Sequence, residues 1–184
     1  MKIYTKAGDS GKTTLMGGRP IDKFALPIEV NGDLDELNAC LGIIKAHCQN
    51  IAPDVAKDLD SYQKKIIEMS AKIAGVDEKQ GDTSFELEGK DLIQKMESAI
   101  DVMDQALPKL QSFVIPGEGS LSAWTHWART VCRRAERHLA RYVSELESNG
   151  QKNLFLLMFM NRLSDYLFVL ARHFQNGQTI TKKE

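Results

Sequence analysis

Residues 123–142, AWTHWARTVCRRAERHLARY, restrict the fold more than any other stretch. They contain no glycine or proline, and Ala, Arg, Leu and Glu all favour helix. At about 100° per residue, His126, Arg129, Arg133, Glu136 and Arg137 fall within roughly a quarter-turn of one another. Trp124, Ala128, Val131, Cys132, Ala135, Leu139 and Tyr142 make up the other side. A chain containing this helix must bury a long apolar face against other helices and still present a row of guanidinium groups. Arg129, Arg133 and Arg137 repel one another, with Glu136 as the one nearby carboxylate. Such a row is solvated, paired to acids elsewhere, or turned towards an anion. Phosphate suits it, because the planar guanidinium donates two parallel hydrogen bonds.

The remaining apolar residues recur at the same period. Leu34, Leu37, Leu41, Ile44 and Cys48 predict a first helix within 28–50, stopped before Pro53. Asp54 is a candidate cap for a second, with Val55, Leu59, Tyr62, Ile66, Met69 and Ile73 on one face and Gly75 at its end. Residues 76–88 read as a polar loop. Leu92, Met96, Ala99 or Ile100, Met103 and Leu107 predict a third helix from about Lys90 to Leu107. The connector SFVIPGEGS follows, then the basic helix with Ser120 or Ser122 as cap, then a break at Asn149–Gly150. A last, most apolar helix runs from about Asn153 to Phe174. No strand pattern stands out. The expectation is all-α: an up-and-down five-helix bundle with a loop-like N-terminal arm, one domain over 1–184, arm 1–27 and bundle 28–176.

The 184 residues suffice for a real core, and a net charge of −1 makes the basic helix a local feature. A nucleic-acid partner is therefore not expected. Cys40, Cys48 and Cys132 show no CxxC spacing and read as buried thiols rather than metal ligands. The longest apolar run, Leu154 to Met160, is far short of a membrane span. With no signal peptide ahead of Ile3, the chain reads as soluble and cytoplasmic, with no membrane partner.

The arm holds four glycines, four lysines and three threonines, and a short extended piece is expected at Lys2–Thr5. Thr5 to Thr14, TKAGDSGKTT, combines backbone N–H groups freed by glycine with lysine and hydroxyl donors, which is phosphate-binding chemistry. It is not a Walker A loop: Lys6 stands where the first glycine of that motif belongs. A flexible terminal arm is the plainer alternative. Lys6, Lys12 and Lys23 on the arm and Arg129, Arg133 and Arg137 on the helix share one preference, and a polyphosphate held between the two segments accounts for both.

Asp33, Asp35 and Glu36 either favour a helix start or pair with an arginine. Arg162 and Asp165 are spaced to pair with each other. Asn161 lies in an apolar stripe and needs partners, which a ligand could supply. Phe113, Val114 and Ile115 are either a core plug or the wall of a large apolar site. His126 is a core histidine, a metal ligand or a base, in that order.

Together these segments resemble the PduO-type ATP:cob(I)alamin adenosyltransferases. The resemblance lies in Tyr4 to Gly11 with Lys23, in Gly32-Asp33-Leu34-Asp35-Glu36-Leu37-Asn38, in Phe113 to Gly117, in His126 with the Arg129 to Arg137 run, and in Asn161 to Phe168. It implies a helical bundle that forms a homotrimer with sites between subunits. The reaction implied is transfer of the 5′-deoxyadenosyl group of ATP to cob(I)alamin or a related corrinoid. Thr5, Lys6, Ala7, Gly8, Thr13, Thr14 and Lys23 would bind ATP with Mg²⁺. Arg133, Arg134, Ala135, Glu136, Arg137 and Asn161 would complete that pocket. Asp35 would pair with Arg129 across the subunit boundary, and Phe113 would lie against the lower face of the corrin. A reductase or a cobalamin-dependent enzyme would be a further partner. Thr125, Glu118, Trp124 and Trp127 depart from the family pattern. A non-catalytic nucleotide or corrinoid carrier, a helical nucleic-acid binder and a bundle that binds nothing are the competing classes.

Overall fold

The computed structural model describes residues 4, 6–15, 18, 20–75, 83–148 and 154–176. Five helices dominate it: α1 (Leu26–Cys48), α2 (Pro53–Ile73), α3 (Thr83–Gln105), α4 (Ser120–Ser148) and α5 (Leu154–Gln175). Ahead of them lies a small hairpin of β1 (Lys12–Thr14) and β2 (Pro20–Asp22). The helices are arranged as a folded strip. α4 packs on α1 and α5, α1 also packs on α2, α5 also packs on α3, and α2 touches α3 only lightly.

The expected core positions of α1 and α2 are all buried, because the period of three and four places them on one face. On α4, Ala128, Val131, Cys132, Ala135 and Leu139 are buried. These are mostly small side chains, which suits the close fit of α4 on α5, where the Cys132 thiol reaches the Met160 carbonyl. Trp124, expected on that face, is instead 39% exposed and stacks edge-on against Trp127. At the centre, the Tyr62 ring of α2 meets Tyr166 at 5.2 Å and Phe159 at 6.5 Å, both edge-on, joining α2 to α5.

Some expectations are corrected. The arm does hold strands, three residues each, antiparallel, with Lys12 opposite Asp22 and their side chains 2.9 Å apart. Strands that short show no alternation in sequence. The extended piece expected at Lys2–Thr5 lies outside the described residues except for Tyr4. Asp54 does not cap α2: Ala52 occupies the cap, without a side-chain bond, and Pro53 starts the helix. Gly75, at φ +80°, does follow its end, with its N–H on the Lys72 carbonyl. Ser122 does not cap α4: it lies inside the helix, buried, with its hydroxyl unpartnered. By length and composition α5 could cross a bilayer, but 61% of that window is buried inside the bundle.

Helix α3 starts seven residues before the expected Lys90. Its first turns are anchored by Phe85, which packs edge-on against Phe155 of α5 at 5.2 Å. Gly89 sits in the same seam. A Cβ there would come within 2.0 Å of the Phe155 ring, so the missing side chain is what lets α3 approach α5. Elsewhere in a helix, glycine to alanine stabilises by about 1 kcal/mol. Here the sign reverses: Gly89→Ala should destabilise by about 1–3 kcal/mol through overpacking. The denaturant midpoint should drop, and adding Phe155→Leu should restore part of the loss.

Candidate functional site

Helix α4 carries arginines with two kinds of surroundings. Arg134 is paired: its Nε donates to Asp33 Oδ1 at 3.0 Å and its Nη2 to Glu36 of α1. Asp33 also accepts from His138 Nδ1, and Glu29 lies 3.7 Å from the other ring nitrogen of His138. Asp33 and Glu36 therefore pair with an arginine rather than open the helix, which begins seven residues before Asp33 at Leu26. Arg162 is paired too, with Asp165 at 2.8 Å as its spacing suggests and with Glu97 of α3 at 2.9 Å.

Arg129, Arg133 and Arg137 have no such partners. No carboxylate among the described residues forms a salt bridge with any of the three. Arg137 Nη1 donates to the Arg133 carbonyl at 3.0 Å. Arg129 is half-buried, its guanidinium 5.9 Å from the Phe168 ring centroid, and its Nε is buried without a partner. Burial and the neighbouring Arg133 cation together lower its pKa. Beside the row, Glu136 accepts from Asn161 Nδ2 at 3.2 Å. Asn161 is exposed at the α4–α5 boundary rather than buried in the stripe.

Two of the residues expected to complete the pocket point away from this row within the protomer. Arg134 is held by α1, and Ala135 is fully buried, since it shares the face of Ala128 and Cys132. Asp35 is exposed on α1 and does not meet Arg129 within the protomer. It lines a shallow groove with Asn31 and Asn38 of α1 and Ile66, Ile67 and Ser70 of α2. The amide oxygens of Asn31 and Asn38 are buried there without partners.

In the arm, Lys6 takes the left-handed conformation, φ +61°, and Gly11 does the same at +78°. The Asp9 N–H meets the Lys6 carbonyl and the Gly11 N–H meets that of Gly8, so the chain curls tightly between them. A Cβ on Gly8 would lie 2.9 Å from Lys23 Nζ, which places that ammonium directly over the loop backbone. Thr13 is half-buried and Thr14 exposed; Ala7 is exposed; Thr5 lies outside the described residues. Lys12 is engaged by Asp22. Among the described residues, β1 and β2 pack chiefly on each other and no helix packs extensively on them.

Phe113 is fully exposed and Ile115 nearly so, which removes the core-plug reading. His126 is a core histidine: it is 2% exposed, lies 6.2 Å from the Phe168 ring, and neither of its nitrogens has a partner. The three cysteines are buried free thiols, and burial raises Cys40 and Cys48 to about 11. Sequence reasoning missed Glu29, His138, Asp104, Arg172 and Gln175. A signal for the first two existed: Glu29, Asp33 and Glu36 recur at three and four on α1, as Arg134 and His138 do on α4.

A five-helix bundle whose arginine row meets no carboxylate among the described residues, with a glycine–lysine loop and an exposed aromatic connector, has the chemistry to hold an anion beside an apolar surface. The chain belongs to the cobalamin adenosyltransferase family, whose model matches residues 3–174. The corrinoid adenosyltransferase of Bacillus subtilis strain 168 is 34% identical over 174 residues, covering 94% of this chain and 86% of the relative. The corrinoid adenosyltransferase PduO of Citrobacter freundii is 35% identical over 172 residues, and this chain spans about half of its length. Two variants of a PduO-type ATP:corrinoid adenosyltransferase from Lactobacillus reuteri are similar in structure. A phenylalanine-to-histidine variant complexed with cobalamin and ATP has a TM-score of 0.81 at 31% identity, over 95% of this chain and 91% of that one. An arginine-to-lysine variant complexed with ATP has a TM-score of 0.78 at 29% identity, over 95% and 94%.

His126 and His173 share a property that gives a pH test. Both are lowered from their ordinary 6.5, His126 by burial and then by the Arg129 cation, His173 by burial. Above about pH 6.5 each is neutral folded or unfolded. Below it, the unfolded chain takes up protons that the folded chain refuses, so stability falls with pH. The denaturant midpoint should be lower at about pH 5.5 than at about pH 7.5, with a shallower slope in a His126→Gln/His173→Gln variant.

Proposed function

We propose that this chain transfers the 5′-deoxyadenosyl group of ATP to the cobalt of a reduced corrinoid, cob(I)alamin in type, forming adenosylcobalamin and releasing triphosphate. The cobalt(I) electron pair forms the bond to C5′, and the C5′–O bond breaks with its pair leaving on the triphosphate. The observation that carries the reading is the division among the arginines. Arg134, Arg162 and Arg172 are matched to carboxylates, whereas Arg129, Arg133 and Arg137 meet none among the described residues. A row of cations held without counter-charge is suited to a polyanion that arrives as substrate.

No protein base is needed, so the protein's contribution is positioning and stabilisation of the leaving group. Arg133 and Arg137, with Lys6 and Lys23 on the arm, donate to the triphosphate as its charge grows. Gly8, Thr13 and Thr14 add loop donors, while Glu136 and Asn161 border the row. Mg²⁺ binds largely through substrate phosphates and waters. It would enter with ATP, and no cluster of three or more acids, histidines or cysteines is formed for it among the described residues.

The pocket is completed between copies of the chain in a homotrimer. One face of the protomer leaves Arg129 Nε without an acceptor, and the α1–α2 groove leaves Asn31 and Asn38 oxygens without donors, beside Asp35. Placing α4 of one copy near that groove of the next would answer both needs and set Asp35 against Arg129. Phe113 faces the corrin from below, where an apolar ring excludes an axial ligand and eases reduction of cobalt(II). A reductase supplies that electron and a cobalamin-dependent enzyme receives the product, in a reducing cytoplasm that suits the three free thiols.

Arg133→Ala should lower kcat/KM for ATP about 10- to 150-fold, the range for one charge-assisted hydrogen bond of about 1.5–3 kcal/mol. Formation of the cobalt–carbon bond, followed by absorbance with MgATP and reduced corrinoid, is the test; unchanged turnover contradicts the reading. Phe113→Ala should leave MgATP binding intact and slow adenosylation from cobalt(II). Supplying chemically reduced cobalt(I) should narrow that defect.

A further inference from the structure

The connector between α3 and α4, residues 106–119, carries Phe113 and is almost wholly exposed. Leu107 is buried and Val114 half-buried. A connector of this length with so little packing does not hold a side chain at a fixed height by itself. Both of its ends, however, are gripped by one stretch of α5. At the first end, Arg172 Nη2 donates to the Pro108 carbonyl at 2.6 Å, and Nη1 donates to Asp104 Oδ1 at 3.1 Å. At the other end, Gln175 Nε2 donates to Glu118 Oε2 at 2.9 Å.

Residues 172 and 175 are three apart and share a side of the helix. Arg172 is a stiff anchor. It is 6% exposed, and its guanidinium lies 5.9 Å from the Phe168 ring centroid, the same ring that Arg129 approaches. Gly117 and Gly119, at φ +133° and +84°, flank Glu118 with backbone bends that other residues would strain to adopt.

We propose that the end of α5 is a two-point clamp on this connector, and that Arg172 and Gln175 are positioning residues for the corrinoid. They act through the placement of Phe113 and do not touch substrate. The inference rests on Phe113 facing the corrin, as argued above. It separates the two substrates: a loosened clamp changes how the corrinoid sits and leaves the arm and the arginine row alone.

Glu118 gives the clean test, because it is exposed. Glu118→Ala should leave the melting temperature within about two degrees, as for most surface changes. KM for MgATP should not move. KM for the corrinoid should rise roughly 3- to 10-fold, the range for one lost hydrogen bond. The electron paramagnetic resonance of bound cob(II)alamin with MgATP should show less of the species lacking an axial ligand. Glu118→Gln keeps an acceptor for Gln175 and should restore both readouts. If Phe113→Ala shifts the corrinoid KM and the resonance spectrum while Glu118→Ala shifts neither, the clamp is overturned. If Phe113→Ala is silent as well, the placement of Phe113 is wrong, and the clamp falls with it.

Discussion

The pairing of Arg134 with Asp33 and Glu36 fixes how α4 is rotated about its own axis. Adjacent residues on a helix point about 100° apart. With Arg134 turned to α1 and Ala135 turned to the core, Arg133 has to face outward, and Arg129 and Arg137 follow at one turn either way. His138 reinforces this by meeting the same Asp33 carboxylate one turn along. The candidate site is thus a product of packing on the far side of its helix. An ion pair that is itself only partly buried adds little energy on its own. Its weight here lies in choosing one rotation of α4 among several that would bury similar apolar area.

The bundle was legible where a single face is apolar at the helical period. Every core position read for α1 and α2 is buried, because nothing in those segments competes with the periodic signal. The reading failed where one residue carries the packing. Phe85 is buried and Leu87, two residues on, is exposed, a spacing that gives no helical apolar period, so the first two turns of α3 looked like loop, and the strands of the arm are too short for alternation to show. Trp124 lies on the apolar arc of α4 yet stays partly exposed, because it finds Trp127 at the end of the helix rather than the core. The arginine row was visible from spacing alone. That Arg134 belongs to the fold and Arg133 to the open face was not, since sequence neighbours of one chemistry differ only in what other elements bring to them.

Several buried polar atoms among the described residues have no partner. Ser122, His126, Arg129 and His173 hold several of them on α4 and α5, and Asn31, Asn38 and Gln63 hold others on α1 and α2. Native interiors pair nearly all such groups, so each exception marks a place where a further donor or acceptor could be accommodated. The two imidazoles differ from the rest: burial disfavours their charged form, so they keep their place without carrying charge.

The order α2, α1, α4, α5, α3 makes this bundle a strip folded on itself, with its two margins meeting at the light contact between α2 and α3. Proteins open first where few apolar contacts must be broken. Transient fraying should therefore begin along that margin, baring one flank of α3 to solvent exchange or to a protease. The arginine row and its rotation lock, on α4 at the middle of the strip, would be the last to feel it. The seam that can gape and the helix that must hold still are set at opposite places in one short chain.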